Sequence, residues 1–412
     1  MRKLISYLAA LLASLTLWGQ NITYENALID AVNLYGAGDL DGAMTRLQKL
    51  HAADSTNDAV CYYLGVCETA KGRYDSAAVL LADAARLDPS NSWYRNTLAT
   101  VYLTQGRSAE AAPLLEKLVE EYPQSYNNPY MLTMVADSYL RQFKDTVAIS
   151  WYDRALDLDP MYAPAEIGKA EIYRYRANNP AFFVSVGKVI ANPEVVASAK
   201  SEYIKGIMDR MDAKFWWVWG EQICALVDTC IVMHPDDIEG RWLKVNTCAI
   251  KDDWDGVLAQ CRDIADIASG AGDRENIARA YSTMGDVIHE QQNDEKATFR
   301  MYDLALKADP EYVPVLNNYA YYLSVKGSKL RKALKMSAVT VEKEPDNATY
   351  LDTYAWILHL LGRDAEAKPY FKHALIYGGR ENTVILEHYS EVLRKLGEND
   401  LADYYRRLAG KE

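Results

Sequence analysis

The residues best suited to proton transfer or metal binding are the six histidines: His51, His234, His289, His359, His373 and His388. No two of them stand at zinc-protease spacing, and neither a glycine-rich phosphate loop nor a serine nucleophile elbow occurs. The 57 Asp and Glu residues offer many close carboxylate pairs, but on solvated helices such pairs mean little. The six cysteines are the other reactive set. Cys61 and Cys67 lie six apart, as do Cys224 and Cys230. Six residues of helix rise about 9 Å, beyond disulfide reach. Bridges among Cys224, Cys230, Cys248 and Cys261 stay open, beside the reading that the cysteines are small buried apolar residues. No close cysteine pair of zinc or redox type is present. The sequence therefore carries no catalytic signature and implies neither metal nor cofactor: it reads as no enzyme.

Two clusters could bind instead of react. Phe215-Trp216-Trp217-Val218-Trp219 places Trp216 and Trp219 on one helical face and Trp217 elsewhere. It reads as a bulky core seam or as an exposed aromatic platform; Phe182-Phe183 reads as core. Lys326, Lys329, Arg331, Lys332 and Lys335 put five cations in ten residues with no acid among them, which fits a solvated helix start or an anion-binding patch.

Composition narrows the partners. Half of the 412 residues are apolar and 25% are charged, which excludes a disordered tail or a membrane bundle. The net charge of −12 repels a phosphate backbone, so nucleic acid is not expected as the main partner. Met1-Arg2-Lys3 followed by apolar Leu4 to Leu17 has the length of a signal peptide, not of a bilayer span of about 20 residues. Cleavage is expected after Gly19 or a few residues away. No later stretch is apolar enough to cross a membrane, so the mature chain is expected to be exported without a transmembrane segment. Its oligomeric state is not legible.

The elements that must position these side chains repeat. Pro89, Pro123 and Pro160 each end a helix-like stretch, as do Pro310 and Pro345, at spacings of 34 to 37 residues. Before each proline, one apolar-periodic stretch carries a small residue (Gly65, Ala136, Gly168, Ala320, Ala355). A turn follows, and then a second stretch opens with Ala77, Ala111, Ala148, Ala333 or Ala367. Two helices of about 13 residues and their turns fill the period, small residues let backbones approach, and stacking buries the apolar faces that one pair leaves open.

This pattern resembles the tetratricopeptide repeat family. The clearest wording is Asn317-Asn318-Tyr319-Ala320-Tyr321, Tyr350-Leu351-Asp352-Thr353-Tyr354-Ala355-Trp356 and Leu386-Glu387-His388-Tyr389, similar to repeat proteins exported by Gram-negative bacteria. The resemblance implies an all-α fold, an α-solenoid superhelix of about eleven antiparallel helix pairs. Its expected segments are a signal peptide over 1–19, a regular array over 20–162, degenerate helical repeats over 163–277 and a second regular array over 278–412.

In this family the first helix of each pair lines the concave face. That implies peptide-contacting candidates at Tyr62, Asn96, Tyr130 and Asp137 in the first array. In the last they are Asn317, Tyr321, Asp352, Trp356, His359, Glu387, His388 and Glu391. Asn and Tyr offer hydrogen bonds and Trp offers flat contact area. Asn317, Tyr321, Asp352 and Trp356 are expected to face one channel. The Lys and Arg that some members use with Asn to grip a C-terminal carboxylate do not accompany Asn96, Asn317 and Asn318. The expected function is a non-catalytic scaffold for protein or peptide partners in the cell envelope, in the periplasm or at the outer membrane of a Gram-negative bacterium. A glycan- or nutrient-binding role for the aromatic residues is the alternative.

Overall fold

The computed structural model describes residues 23–410. The expected signal segment, 1–19, and its cleavage site lie outside them. The described residues form eleven helix pairs and no strand, as the period implies. Most helices run 13 or 14 residues, for example Asp58–Ala70 with Tyr74–Leu87 and Ala348–Leu360 with Asp364–Ile376. The chain divides into two compact units at Val195 and Val196. The pair Ala163–Tyr175 and Asn179–Ala191 packs on the pair before it, so the first unit runs past the regular array expected to end at 162. The irregular region shows itself in length: Ala213–Met233 has 21 residues and Trp254–Ala271 has 18.

The small residues stand where helices meet. Ala77, Ala111, Ala136, Ala148, Ala320, Ala333, Ala355 and Ala367 are fully buried. A Cβ added to Gly65 would lie 2.7 Å from Cγ of Leu81. At Gly285 it would lie 2.5 Å from the ring of Tyr302, and at Gly168 it would lie 2.3 Å from Cζ of Tyr152. Asn or Asp side chains cap most first helices, as Asn57 does for the Val60 amide and Asn128 for that of Met131. These caps satisfy amides that have no partner within the helix. Most second helices end at a residue such as Asp88 or Asp159, just before a proline that cannot continue them.

Between the helices of a pair the chain turns through a left-handed residue. Gly72, Gly106 and Gly362 fill this place with φ near +75°, and Phe143 and Ala177 fill it with φ of 59° and 53°. Beside this turn runs a repeated brace between successive pairs. The residue before the left-handed one reaches back to an acid of the previous second helix, at its start in every case but Glu221. The brace joins Lys71 to Asp41, Gln105 to Asp75, Arg176 to Asp145, Lys251 to Glu221 and Lys326 to Glu295. Each is exposed and contributes about 0–1 kcal/mol. All of these acids except Glu221 also lie at the positive end of their helix.

All six cysteines are free and buried, so no bridge forms among Cys224, Cys230, Cys248 and Cys261. Phe182 and Phe183 are buried. The Trp216–Trp219 stretch divides: Trp217 is 86% exposed while Trp216 and Trp219 are half-buried. It is neither wholly core nor wholly platform, because it opens a helix that is nine residues longer than its partner Ala197–Met208 (21 against 12).

Candidate binding surface

The second unit gathers four of the expected residues into one cluster. Asp352, Trp356 and His359 lie on Ala348–Leu360 at spacings of four and three, hence on one helical face. His388 lies on the next first helix, Thr383–Lys395. Its Nδ1 donates to Oδ1 of Asp352 at 3.0 Å. Its ring stacks on the Trp356 indole, centroids 3.9 Å apart and planes 14° from parallel. His359 stacks on the same indole at 4.8 Å, and its Nδ1 donates at 2.5 Å to Asp364, the first residue of the following helix.

Two carboxylates thus hold two imidazoles by Nδ1, with an indole between them. A ring that donates through Nδ1 keeps Nε2 as its acceptor while neutral, so the carboxylates fix which nitrogen can receive a partner's proton donor. Both dyads end against indole and not at a hydroxyl or thiol. The geometry therefore supplies flat contact area and oriented acceptors.

One pair earlier, Asn317 and Tyr321 occupy the places of Asp352 and Trp356, 35 residues on. Tyr321 lies at the surface, edge-on to Tyr322. Tyr322 in turn meets His289 with centroids 4.0 Å apart and planes tilted by 36°, a second aromatic–imidazole contact. Asn317 and Asp352 do not open broadly onto a channel: they are 5% and 6% exposed. Asn317 Nδ2 donates to Asn318 at 3.3 Å, while its buried Oδ1 has no partner. Beneath this wall Tyr302 donates to Asp286 at 2.5 Å and Asn318 donates to the same oxygen at 3.1 Å. Burial raises the Asp286 carboxyl above its ordinary range. Burial and the neighbouring Asp286 drive the Tyr302 phenol upward too, so it stays a donor.

The other candidates stand in the first unit. Tyr62 packs on Tyr94 at 4.8 Å, and its hydroxyl lies 3.4 Å from Thr97 Oγ1. Asn96 is half-buried beside it, and Asp137 accepts from Tyr152. Tyr130 is 62% exposed. Trp93, which the sequence reading passed over, is 67% exposed at the same helix position one repeat earlier. Its place second in a first helix, as Tyr130 is, was the available signal. Among the described residues no group of three or more His, Cys, Asp or Glu could hold a metal ion. None of the helices there is long and apolar enough to cross a membrane.

The family described as "Tetratricopeptide repeat" matches residues 34–82 and 68–137. This chain carries tetratricopeptide repeats. The matched stretch holds the pairs whose small residues and left-handed turns were described above, and the same geometry recurs through both units. A tetratricopeptide solenoid is a scaffold for protein–protein interaction. Among solved structures, MamA (AMB-1) is 21% identical, with a TM-score of 0.37 over 41% of this chain and 90% of that one. YrrB, described as a TPR protein with an unusual peptide-binding site, is 18% identical, with a TM-score of 0.35 over 52% and 88%. Yeast Tom70 is 12% identical, with a TM-score of 0.36 over 94% and 92%. No curated protein matches the sequence.

Proposed function

We propose that this tetratricopeptide protein is a non-catalytic scaffold of the cell envelope that holds an extended peptide segment of a partner against the first helices of its second unit. The observation that carries the reading is the His388–Trp356–His359 stack with its two fixed imidazoles. An extended peptide presents backbone N–H groups at regular intervals, and such donors suit Nε2 acceptors flanking an aromatic plane. Export rests on the basic Arg2-Lys3 start and the apolar run from Leu4 to Leu17. It is tested by fusing residues 1–22 to a reporter active only outside the cytoplasm, where silence would remove the envelope setting.

Selection of displayed random peptides on residues 20–412, run beside an oligosaccharide array, tests the binding class. Enrichment of peptides is expected. Binding to sugars alone would favour the glycan reading, for which exposed Trp93, Tyr130 and Trp217 are the supporting observation.

A further inference from the structure

We infer that the basic turn Lys326–Lys335 is a docking surface for an acidic peptide segment, separate from the first-helix wall. The inference does not depend on what that wall binds.

Each brace described above spends one donor on one acid, a cation in every case but Gln105. Where Asp41, Asp75 and Glu295 stand two residues before Ala43, Ala77 and Ala297, Arg331 stands two residues before Ala333. Where Lys71, Gln105 and Lys326 stand just before the left-handed glycine, Leu361 stands before Gly362. At this one step the acid has become a cation and its partner has become a leucine. Lys326 is consumed by Glu295 of the preceding turn, at 2.5 Å, and Lys332 lies over the Tyr319 ring at 4.3 Å. Lys329, Arg331 and Lys335 are exposed, and among the described residues no ion pair or hydrogen bond engages their side chains.

The fold disfavours this arrangement. Cations at the start of Leu330–Lys343 oppose the helix dipole. Lys329 itself adopts φ of 51°, which costs a side chain about 1–2 kcal/mol. Like charges so close repel one another, and among the described residues no pairing of Lys329, Arg331 or Lys335 offsets that. An external polyanion would.

The flanking turns select which polyanion. Glu290, Asp294 and Glu295 crowd the turn immediately before the patch, and Asp364 and Glu366 open the helix after it. A flat anionic membrane or a DNA duplex reaching Arg331 must also approach these acids, on a chain of net charge −12. A single acidic strand is narrow enough to reach the cations alone. Val325, 65% exposed beside Lys326, adds an apolar contact that a peptide side chain can use.

The test uses the full mature chain and three probes at about 0.05 M salt: a fluorescein-labelled deca-glutamate peptide, phosphatidylglycerol vesicles and a short DNA duplex. The peptide is expected to bind and to be released near 0.5 M salt, where charges are screened within about 3–4 Å. The triple variant Lys329→Glu/Arg331→Glu/Lys335→Glu should weaken binding by about tenfold or more. A control with the same charge change on unpaired exposed lysines elsewhere, Lys49→Glu/Lys117→Glu/Lys372→Glu, should bind as wild type with the same helicity. Equal loss in both variants would reduce the effect to net charge and overturn the proposal. Binding of vesicles or duplex but not peptide, or of no probe, would overturn it as well.

Discussion

The imidazole of His388 bridges two residues of the preceding first helix: it donates to Asp352 at 3.0 Å and lies flat on Trp356 at 3.9 Å. One side chain thereby ties successive repeats together on the face proposed to hold a partner. Asp352 and its imidazole are both largely buried, so removing either leaves the other with an unmet polar group. Asp352→Ala and His388→Ala are each expected to cost about 1–3 kcal/mol in urea denaturation. The double variant should cost about 1 kcal/mol or more below their sum. Strict additivity would mean that the contact is not made in solution.

Glycine has opposite consequences at different places. Gly285→Ala drives a methyl into the Tyr302 ring and Gly168→Ala does the same at Tyr152, so each should lower stability by about 1–3 kcal/mol. Gly187, inside Asn179–Ala191, has no atom within 4 Å of an added Cβ. Gly187→Ala should therefore raise stability by about 0.5–1 kcal/mol through helix propensity alone. Thermal melts of the three variants decide it, and uniform effects would contradict the packing.

Four pairs carry a side chain where others carry glycine, at Phe143, Ala177, Asp252 and Asn293. Ala177 turns through φ of 53° at the place Gly72 and Gly106 occupy. Ala177→Gly is expected to stabilise by about 1 kcal/mol, because the left-handed conformation strains any Cβ. A lower melting temperature would show that the turn adopts another conformation.

Burial pushes the thiols of Cys61, Cys67, Cys230 and Cys248 up, and that of Cys261 to about 12. Thiolate is then scarce at pH 8 in the folded chain, and a thiol-disulfide reagent should label it slowly but label six groups after unfolding. The folded values lie above the unfolded ones, so these thiols contribute fully below the ordinary 9.0. That contribution is lost as pH rises through the folded values, and stability should decline on the alkaline side. Rapid native labelling at any one position would place that cysteine at the surface.

The repeat was legible because its marks are local. Ala77, Ala355 and Pro89 report helix contact and helix end from residue type alone, which is why eleven pairs emerge where a 34-residue period predicts them. The site was legible only in part. The spacing of Asp352, Trp356 and His359 places them on one face, but their meeting with His388 depends on how the next helix is set against theirs. The burial of Asn317 depends on its neighbours in the same way. Spacing did divide Trp217 from Trp216 and Trp219, but how far each is exposed follows from a helix outrunning its partner. The basic patch is visible in sequence, whereas its lack of partners appears only once the five braces are aligned.

The central claim is that the first-helix wall of the second unit grips an extended peptide through Trp356 and its two imidazoles. The most direct measurement is the affinity of a selected peptide for the wild type and for Trp356→Ala, each checked for unchanged helicity and melting. Loss of an aromatic anchor typically costs about 2 kcal/mol or more, so an affinity drop of about thirtyfold is predicted. An unchanged affinity in the folded variant would contradict the account and place the binding surface elsewhere.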